Sequence, residues 1–155
     1  MQTDFLALKA KVLEFSGIAE FNPMQEKCLA GGIPEGNIVV SAPTASGKTL
    51  VAEIIALDCV LNKKRKAIYT CPLRALASEH YSEFRRKYSR LGVKAAIATG
   101  DFDSGASYLE NYDVIFTTYE KLESLLRHNT HWLAEVGLVI VDEIHEIDSD
   151  RGPTI

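Results

Sequence analysis

A chain of 155 residues suffices for one domain with a sizeable buried core. Composition is that of an ordinary globular protein, with 46% hydrophobic and 25% charged residues, and the net charge of −4 excludes a globally basic surface. The charge is nonetheless uneven. Lys63, Lys64, Arg65, Lys66, Arg74, Arg85, Arg86, Lys87, Arg90 and Lys94 are ten of the 17 basic residues, and only Glu79 and Glu83 oppose them in that stretch. Solvated helix faces and a polyanion-binding surface both fit this pattern. Cys28, Cys59 and Cys71 are odd in number and far apart, without metal-ligand spacing, so buried reduced thiols in a cytoplasmic protein are expected. His128 and His131 lack a second ligand pair and read as surface residues. Asp4 and Lys9 interrupt the start, so no signal peptide is expected, and no apolar run approaches the length of a membrane span.

In chain order, Phe5, Leu6, Leu8, Val12, Leu13 and Phe15 have the spacing of an amphipathic helix closed by Gly17. Asn22-Pro23 opens a second helix that runs to about Ala30 and ends at Gly31-Gly32. Gln25 lies in its first turn. Its amide suits the edge of an adenine, although taken alone it reads as a solvated helix residue. Ile33 to Gly36 is a turn, Ile38 to Ser41 a buried strand, and Gly47 to Leu61 a helix. Ala67 to Cys71 is a strand ended by Pro72, followed by a long helix from Leu73 to about Leu91 with Leu76, Tyr81, Phe84 and Tyr88 on its buried side. Val93 to Ala98 is a strand, and Phe102 to Asn111 a loop or short helix with Asp101, Asp103, Ser104 and Gly105 as turn formers. Asp113 to Thr118 is a strand, Glu120 to His128 a helix, and Leu138 to Asp142 a fully buried strand. Glu143 to Ile155 is a loop or helix start. This alternation predicts an α/β fold, a mainly parallel sheet flanked by helices, with ligands bound beyond the carboxyl ends of the strands.

Two stretches carry chemistry. Ala42-Pro43-Thr44-Ala45-Ser46-Gly47-Lys48-Thr49 matches the phosphate-loop template, with Ala42 in place of the first glycine. Small residues let backbone N–H groups turn toward phosphate oxygens, and the following helix adds its positive end. Lys48 can reach the β- and γ-phosphates, and the Thr49 hydroxyl can hold Mg²⁺. Leu138-Val139-Ile140-Val141 then runs into Asp142 and Glu143. An Asp at the tip of such a strand can hold Mg²⁺, and the adjoining Glu can activate the attacking water. An acidic helix start would also place two carboxylates there, but the phosphate loop favours ATP hydrolysis.

Asp142-Glu143-Ile144-His145 resembles the strand-end motif of superfamily-two helicases, and other signature blocks stand in the same order. Phe21 to Gln25 resembles the adenine-reading glutamine motif, Ala42 to Thr49 motif I, Pro72 to Leu76 motif Ia, and Thr99 to Asp101 motif Ib. Thr117 to Lys121 resembles the next block. Leu125 to His128 and Asp148 to Gly152 narrow the resemblance to the Ski2-like group, nearest the archaeal Hjm-type DNA helicases.

The resemblance implies an incomplete RecA-like phosphate-loop domain. Residues 1–155 would be the N-terminal part of the first, ATP-binding motor domain, without the second motor domain or auxiliary domains. Gln25 would contact adenine, with Phe21 near the base. Lys48, Asp142 and Glu143 would be catalytic, and Thr49 and Asp142 would bind Mg²⁺. His145 would couple nucleotide state to strand binding. Arg74, Thr99, Gly100, Thr118 and Glu120 would contact nucleic-acid backbone, and the basic turn at Lys63 to Lys66, at the other end of its strand, would not. The implied cofactors are ATP and Mg²⁺. The implied partners are single-stranded or forked DNA and a motor domain in the same longer chain, with no membrane. The implied process is repair or recombination. Without the second domain and its arginine fingers, worth about 10³- to 10⁵-fold in related NTPases, the 155 residues are expected neither to unwind DNA nor to turn over ATP usefully. A stand-alone nucleotide-binding module without turnover, and an RNA helicase of the same group, remain the alternatives.

Overall fold

The computed structural model describes residues 5–30, 36–43, 45–100, 106–128 and 130–148. The chain divides into two compact units, residues 1–64 and 65–155.

The first unit is helical. It contains α1 (Phe5–Ser16), α2 (Pro23–Leu29) and α3 (Lys48–Leu61). Gly17, at φ 69°, ends α1 by returning the Gly17 and Ile18 N–H groups to the carbonyls of Glu14 and Leu13. Asn22 and Gln25 open α2 with a reciprocal capping box, and Pro23 supplies its preset φ at the first turn. Both helices pack on α3, burying Leu8, Val12, Leu29, Ile54 and Leu57. Asp58 is also buried, and its carboxylate accepts from Asn62 at 2.6 Å and faces Lys63 at 3.8 Å, which offsets its desolvation.

The expected strand from Ile38 to Ser41 is not formed. Ile38 is 45% exposed and Val39 84% exposed, and among the described residues the segment joins no ladder. Strand preference is realised through pairing and burial, and this stretch has neither. Of the expected turn from Ile33 to Gly36, residues 33–35 lie outside the described residues, as do Gly31, Gly32, Thr44, Asp101 to Gly105 and Ser149 to Ile155.

The second unit is a four-stranded parallel sheet. In chain order it holds β1 (Lys66–Cys71), α4 (Arg74–Tyr88), β2 (Ala95–Ala98), β3 (Val114–Thr118), α5 (Tyr119–Arg127) and β4 (Val136–Val141). Short 3₁₀ helices at Ser89–Leu91, Ala106–Asn111, His131–Glu135 and Ile144–Asp148 complete it. The strand order is β2-β3-β1-β4. Side chains of β1 and β3 alternate between two cores. On one face Ile68 and Ile115 join Ala96, Leu109, Leu125 and Trp132, whose indole N–H donates to the Ala106 carbonyl at 3.0 Å. On the other, Phe116 lies 5.4 Å from both Tyr69 and Phe84, and Phe84 lies 4.9 Å from Tyr88.

The long helix ends at Tyr88, tightening into a 3₁₀ turn closed by Gly92 at φ 75°. Only Phe84 and Tyr88 of its four expected core residues are fully buried. The helix after β3 begins one residue early, at Tyr119. β4 departs most from expectation. The sequence predicts a fully buried strand, but among the described residues it is an edge strand paired only with β1, and Val139 and Val141 are 49% and 37% exposed. Its unbroken apolar run resembles a central strand, and only the pairing shows its place at the edge. Among the described residues no helix is long and apolar enough to cross a membrane.

Candidate functional site

In the first unit the phosphate loop leads into α3. Gly47 caps the helix at φ 83°, ψ 25°, and as a glycine it offers no side chain to the N–H groups of the first turn. Gly47 is required twice over. Its φ strains any other residue, and a Cβ there would stand 2.3 Å from Gln25 Nε2. Ala42, by contrast, is not at positive φ, so a methyl group is tolerated where the template has glycine. Ala45 is the strained residue of the loop, at φ 60°. The Lys48 ammonium donates to the carbonyls of Ala42 at 2.6 Å and Pro43 at 3.3 Å. Ser46 Oγ is buried with no hydrogen-bond partner.

Gln25 is not the solvated helix residue that its position suggests. It is buried, its Oε1 accepts from Asn22 N–H at 2.9 Å, and its Nε2 donates to the Gly47 carbonyl at 3.1 Å. Asn22 Nδ2 donates to the Ser46 carbonyl at 2.9 Å. The Asn22-Pro23-Met24-Gln25 cap thus serves α2 and braces the phosphate loop at once. Phe21 is buried under the Lys9 ammonium, 5.1 Å from the ring centre.

In the second unit the carboxyl ends of β1, β2 and β3 open into a groove of about 650 Å³. Arg74, Thr99, Gly100, Thr118 and Glu120, far apart in sequence, all line it. Pro72, Leu73 and Ala75 form the wall at the start of α4, and Lys121 and Ser124 form the wall on α5. The Thr118 hydroxyl caps α5 by accepting from Lys121 N–H at 3.3 Å. Sequence reasoning did not single out Lys121 or Ser124, though Lys121 stands inside a motif block and Ser124 is one helical turn beyond Glu120.

Asp142 follows β4. Its Oδ2 accepts from Tyr69 OH at 3.2 Å and lies 3.1 Å from His80 Nε2, while Oδ1 accepts from Glu143 N–H at 3.0 Å. Its carbonyl accepts from the Tyr119 hydroxyl. Burial alone would raise the Asp142 pKa. The His80 hydrogen bond and charge, with the Glu143 N–H and Tyr69 OH, overcome this and hold it below the ordinary carboxylate value. Asp142 therefore contributes stability above about pH 4 that is lost as pH falls through its lower folded-state value. Glu143 is at φ 53°, and its Oε2 lies 3.2 Å from His145 Nδ1, both side chains being largely exposed.

Sequence reasoning missed Tyr69, His80 and Tyr119. One signal was available for His80. It shares the stripe Ala77-His80-Phe84-Tyr88 on α4, at helical spacing, so a polar residue was aimed at the sheet.

The thiols differ from one another. Cys71 is fully buried, and burial with the nearby Asp142 charge pushes its pKa to about 12. Cys59 is buried too, whereas Cys28 is only partly covered, contrary to the expectation that all three are buried. Alkylation of the native protein at pH 8 followed by peptide mapping will label Cys28 first, with Cys59 and Cys71 protected until denaturation. Equal labelling of Cys71 would contradict the packing at the end of β1.

A parallel sheet flanked by helices, with a Gly-Lys-Thr loop and an Asp-Glu-Ile-His strand end, defines the class of RecA-like motor domains. The DEAD/DEAH box helicase family model matches residues 22–155, and the chain belongs to that family. It is 48% identical over 147 residues to the ATP-dependent DNA helicase Hel308 of Pyrococcus abyssi, covering 94% of this chain and 20% of the relative. The chain thus spans about a fifth of the length of that curated relative. The crystal structure of the DUF1998 helicase MrfA superposes with a TM-score of 0.77 at 25% identity, covering 95% of this chain and 25% of that one. MrfA bound to DNA and AMPPNP gives a TM-score of 0.75 at 25% identity, over 90% of this chain and 21% of that one.

Proposed function

We propose that this chain is the ATP-binding part of the first motor domain of an ATP-dependent DNA helicase that acts on single-stranded or forked DNA in repair and recombination, in the cytoplasm. The gathering of Arg74, Thr99, Gly100, Thr118 and Glu120 around one groove carries this reading. Hydroxyls, a glycine backbone and two cations, Arg74 and Lys121, suit a phosphodiester backbone better than a base edge, so the strand is held with little regard to sequence. Names of relatives support DNA as the substrate. Hel308 is a DNA helicase, and MrfA has been crystallised with DNA.

Each unit contributes named groups. In the first, residues 42–49 receive the triphosphate. Lys48 exchanges its two loop carbonyls for phosphate oxygens, the orphaned Ser46 hydroxyl gains a partner, and Gln25, its amide engaged by Asn22 N–H and the Gly47 carbonyl, holds the loop. In the second, Asp142 and Glu143 serve hydrolysis, and His145 reports on Glu143. Thr49 in the first unit and the ionised Asp142 in the second each offer the hard oxygen that Mg²⁺ takes. When bound, Mg²⁺ neutralises charge developing on the phosphates.

Anisotropy titration of a fluorescent single strand into the intact protein and its Arg74→Ala variant, across salt concentrations, tests the reading. We expect weaker binding and a slope of log K against log salt shallower by about 0.7, one phosphate contact on a single strand. An unchanged slope would remove Arg74 from the strand's path. An RNA strand of the same sequence binding as tightly would move the assignment to an RNA helicase.

A further inference from the structure

We propose that Asp142 is tied to the strand-binding groove by two side chains, His80 of α4 and Tyr119 of α5, and that strand binding and nucleotide binding influence each other through them. This rests on the assignment of the groove to DNA and of Asp142 to the nucleotide. Neither tie is His145; His80 lies outside every motif block, and Tyr119 stands within the Thr117 to Lys121 block but points away from the groove that its neighbours line.

Both helices begin in the groove. Arg74 and Ala75, the first residues of α4, line it, and six residues on, about 9 Å along the same rigid helix, His80 meets Asp142 Oδ2. Thr118, Glu120 and Lys121 line the groove around the start of α5. Tyr119, between them, turns inward, is buried, and donates to the Asp142 carbonyl. A phosphate that pulls Arg74 or Lys121 therefore moves a helix whose next inward polar group holds Asp142. One tie acts on the carboxylate and the other on the peptide that sets its direction. The His80 ring lies 5.0 Å from that of Tyr69, which holds the same Oδ2, so the carboxylate cannot turn without disturbing a packed aromatic cluster. Such packing favours discrete arrangements over gradual bending.

A merely structural role predicts lost stability or lost affinity. A coupling role predicts a lost interaction between ligands, which is reciprocal by thermodynamic necessity. The test uses the intact protein, its Tyr119→Phe and His80→Ala variants, and the double variant. Tyr119→Phe keeps the ring and removes the tie. In His80→Ala, Tyr69 and the Glu143 N–H still hold Asp142. The affinity for a fluorescent single strand is measured with and without a saturating non-hydrolysable ATP analogue. In the wild type we expect the analogue to change DNA affinity by about 5- to 150-fold, the usual range of such coupling. In each variant that factor falls at least threefold, and in the double variant it approaches one. DNA affinity without nucleotide stays within twofold of wild type, since neither side chain lines the groove. Coupling that is intact in all three variants overturns the proposal and leaves the helicase assignment standing. Loss of nucleotide-free DNA binding in Tyr119→Phe overturns it as well, because the residue would then only shape the groove. A wild type with no affinity for DNA overturns the helicase assignment itself, and this proposal with it.

Discussion

Replacement of Lys48 by alanine will weaken binding of a Mg²⁺-bound nucleotide by about 10- to 100-fold and leave the fold intact. Two charge-assisted contacts from the ammonium, to the carbonyls of Ala42 and Pro43, mark where it exchanges onto phosphate. A hydrogen bond to a charged group contributes about 1.5 to 3 kcal/mol, and about 1.4 kcal/mol is a factor of ten in affinity. The fold survives because Lys48 is the first residue of α3, where alanine is at least as good a helix former, and because the loop keeps its other braces from Asn22 and Gln25. Calorimetric titration of ADP and a non-hydrolysable ATP analogue into both proteins measures the effect, with circular dichroism to monitor folding. Saturable binding that disappears in the variant places the triphosphate on residues 42–49. Undiminished binding by a folded variant would place the nucleotide elsewhere and remove the phosphate loop from the mechanism.

The phosphate loop was legible in the sequence because its chemistry depends on residue types at fixed spacing, and Gly47 shows why the spacing is strict. Its φ of 83° favours glycine, and a Cβ there would stand 2.3 Å from Gln25 Nε2 and displace the amide that braces the loop. The sheet was legible because β1 and β3 are short apolar runs bounded by turn formers. What the sequence did not disclose is partnership. Residues 38–40 and β4 are both apolar runs, yet among the described residues one forms no ladder and the other stands at an edge, and only pairing distinguishes them from a central strand. Gln25 was misplaced for a similar reason. Helical periodicity places it near a helix start, but its burial comes from a loop 22 residues away in the chain. The ring of donors around Asp142 joins positions 69, 80, 119 and 142, from two strand ends and two helices, and no local pattern reports such a gathering.

Changing Glu143 to glutamine will separate binding from chemistry. We expect nucleotide affinity to stay within about twofold while turnover falls by about 10²- to 10⁴-fold, the usual contribution of a positioned general base. The two adjacent carboxylates differ in environment, and that difference assigns their roles. Asp142 is partly buried, accepts from Tyr69 and the Glu143 N–H and sits against His80, and is held below the ordinary carboxylate pKa, so it is a fixed anion and a poor proton acceptor. The Glu143 side chain is exposed and, among the described residues, places its Oε2 3.2 Å from His145, which leaves its other oxygen to accept a proton from water. Its backbone lies at φ 53°, a left-handed conformation that costs about 1 to 2 kcal/mol for a residue with a Cβ. Glutamine has the same shape and bears the same backbone cost, so packing and φ are preserved and only the base is lost. Single-turnover hydrolysis in the intact protein, with and without DNA, reads the chemical step directly. A slow step with normal nucleotide binding in both conditions assigns proton transfer to Glu143. A variant that hydrolyses at the wild-type rate would transfer that role to another group, and one that fails to bind nucleotide would make Glu143 part of the binding site instead.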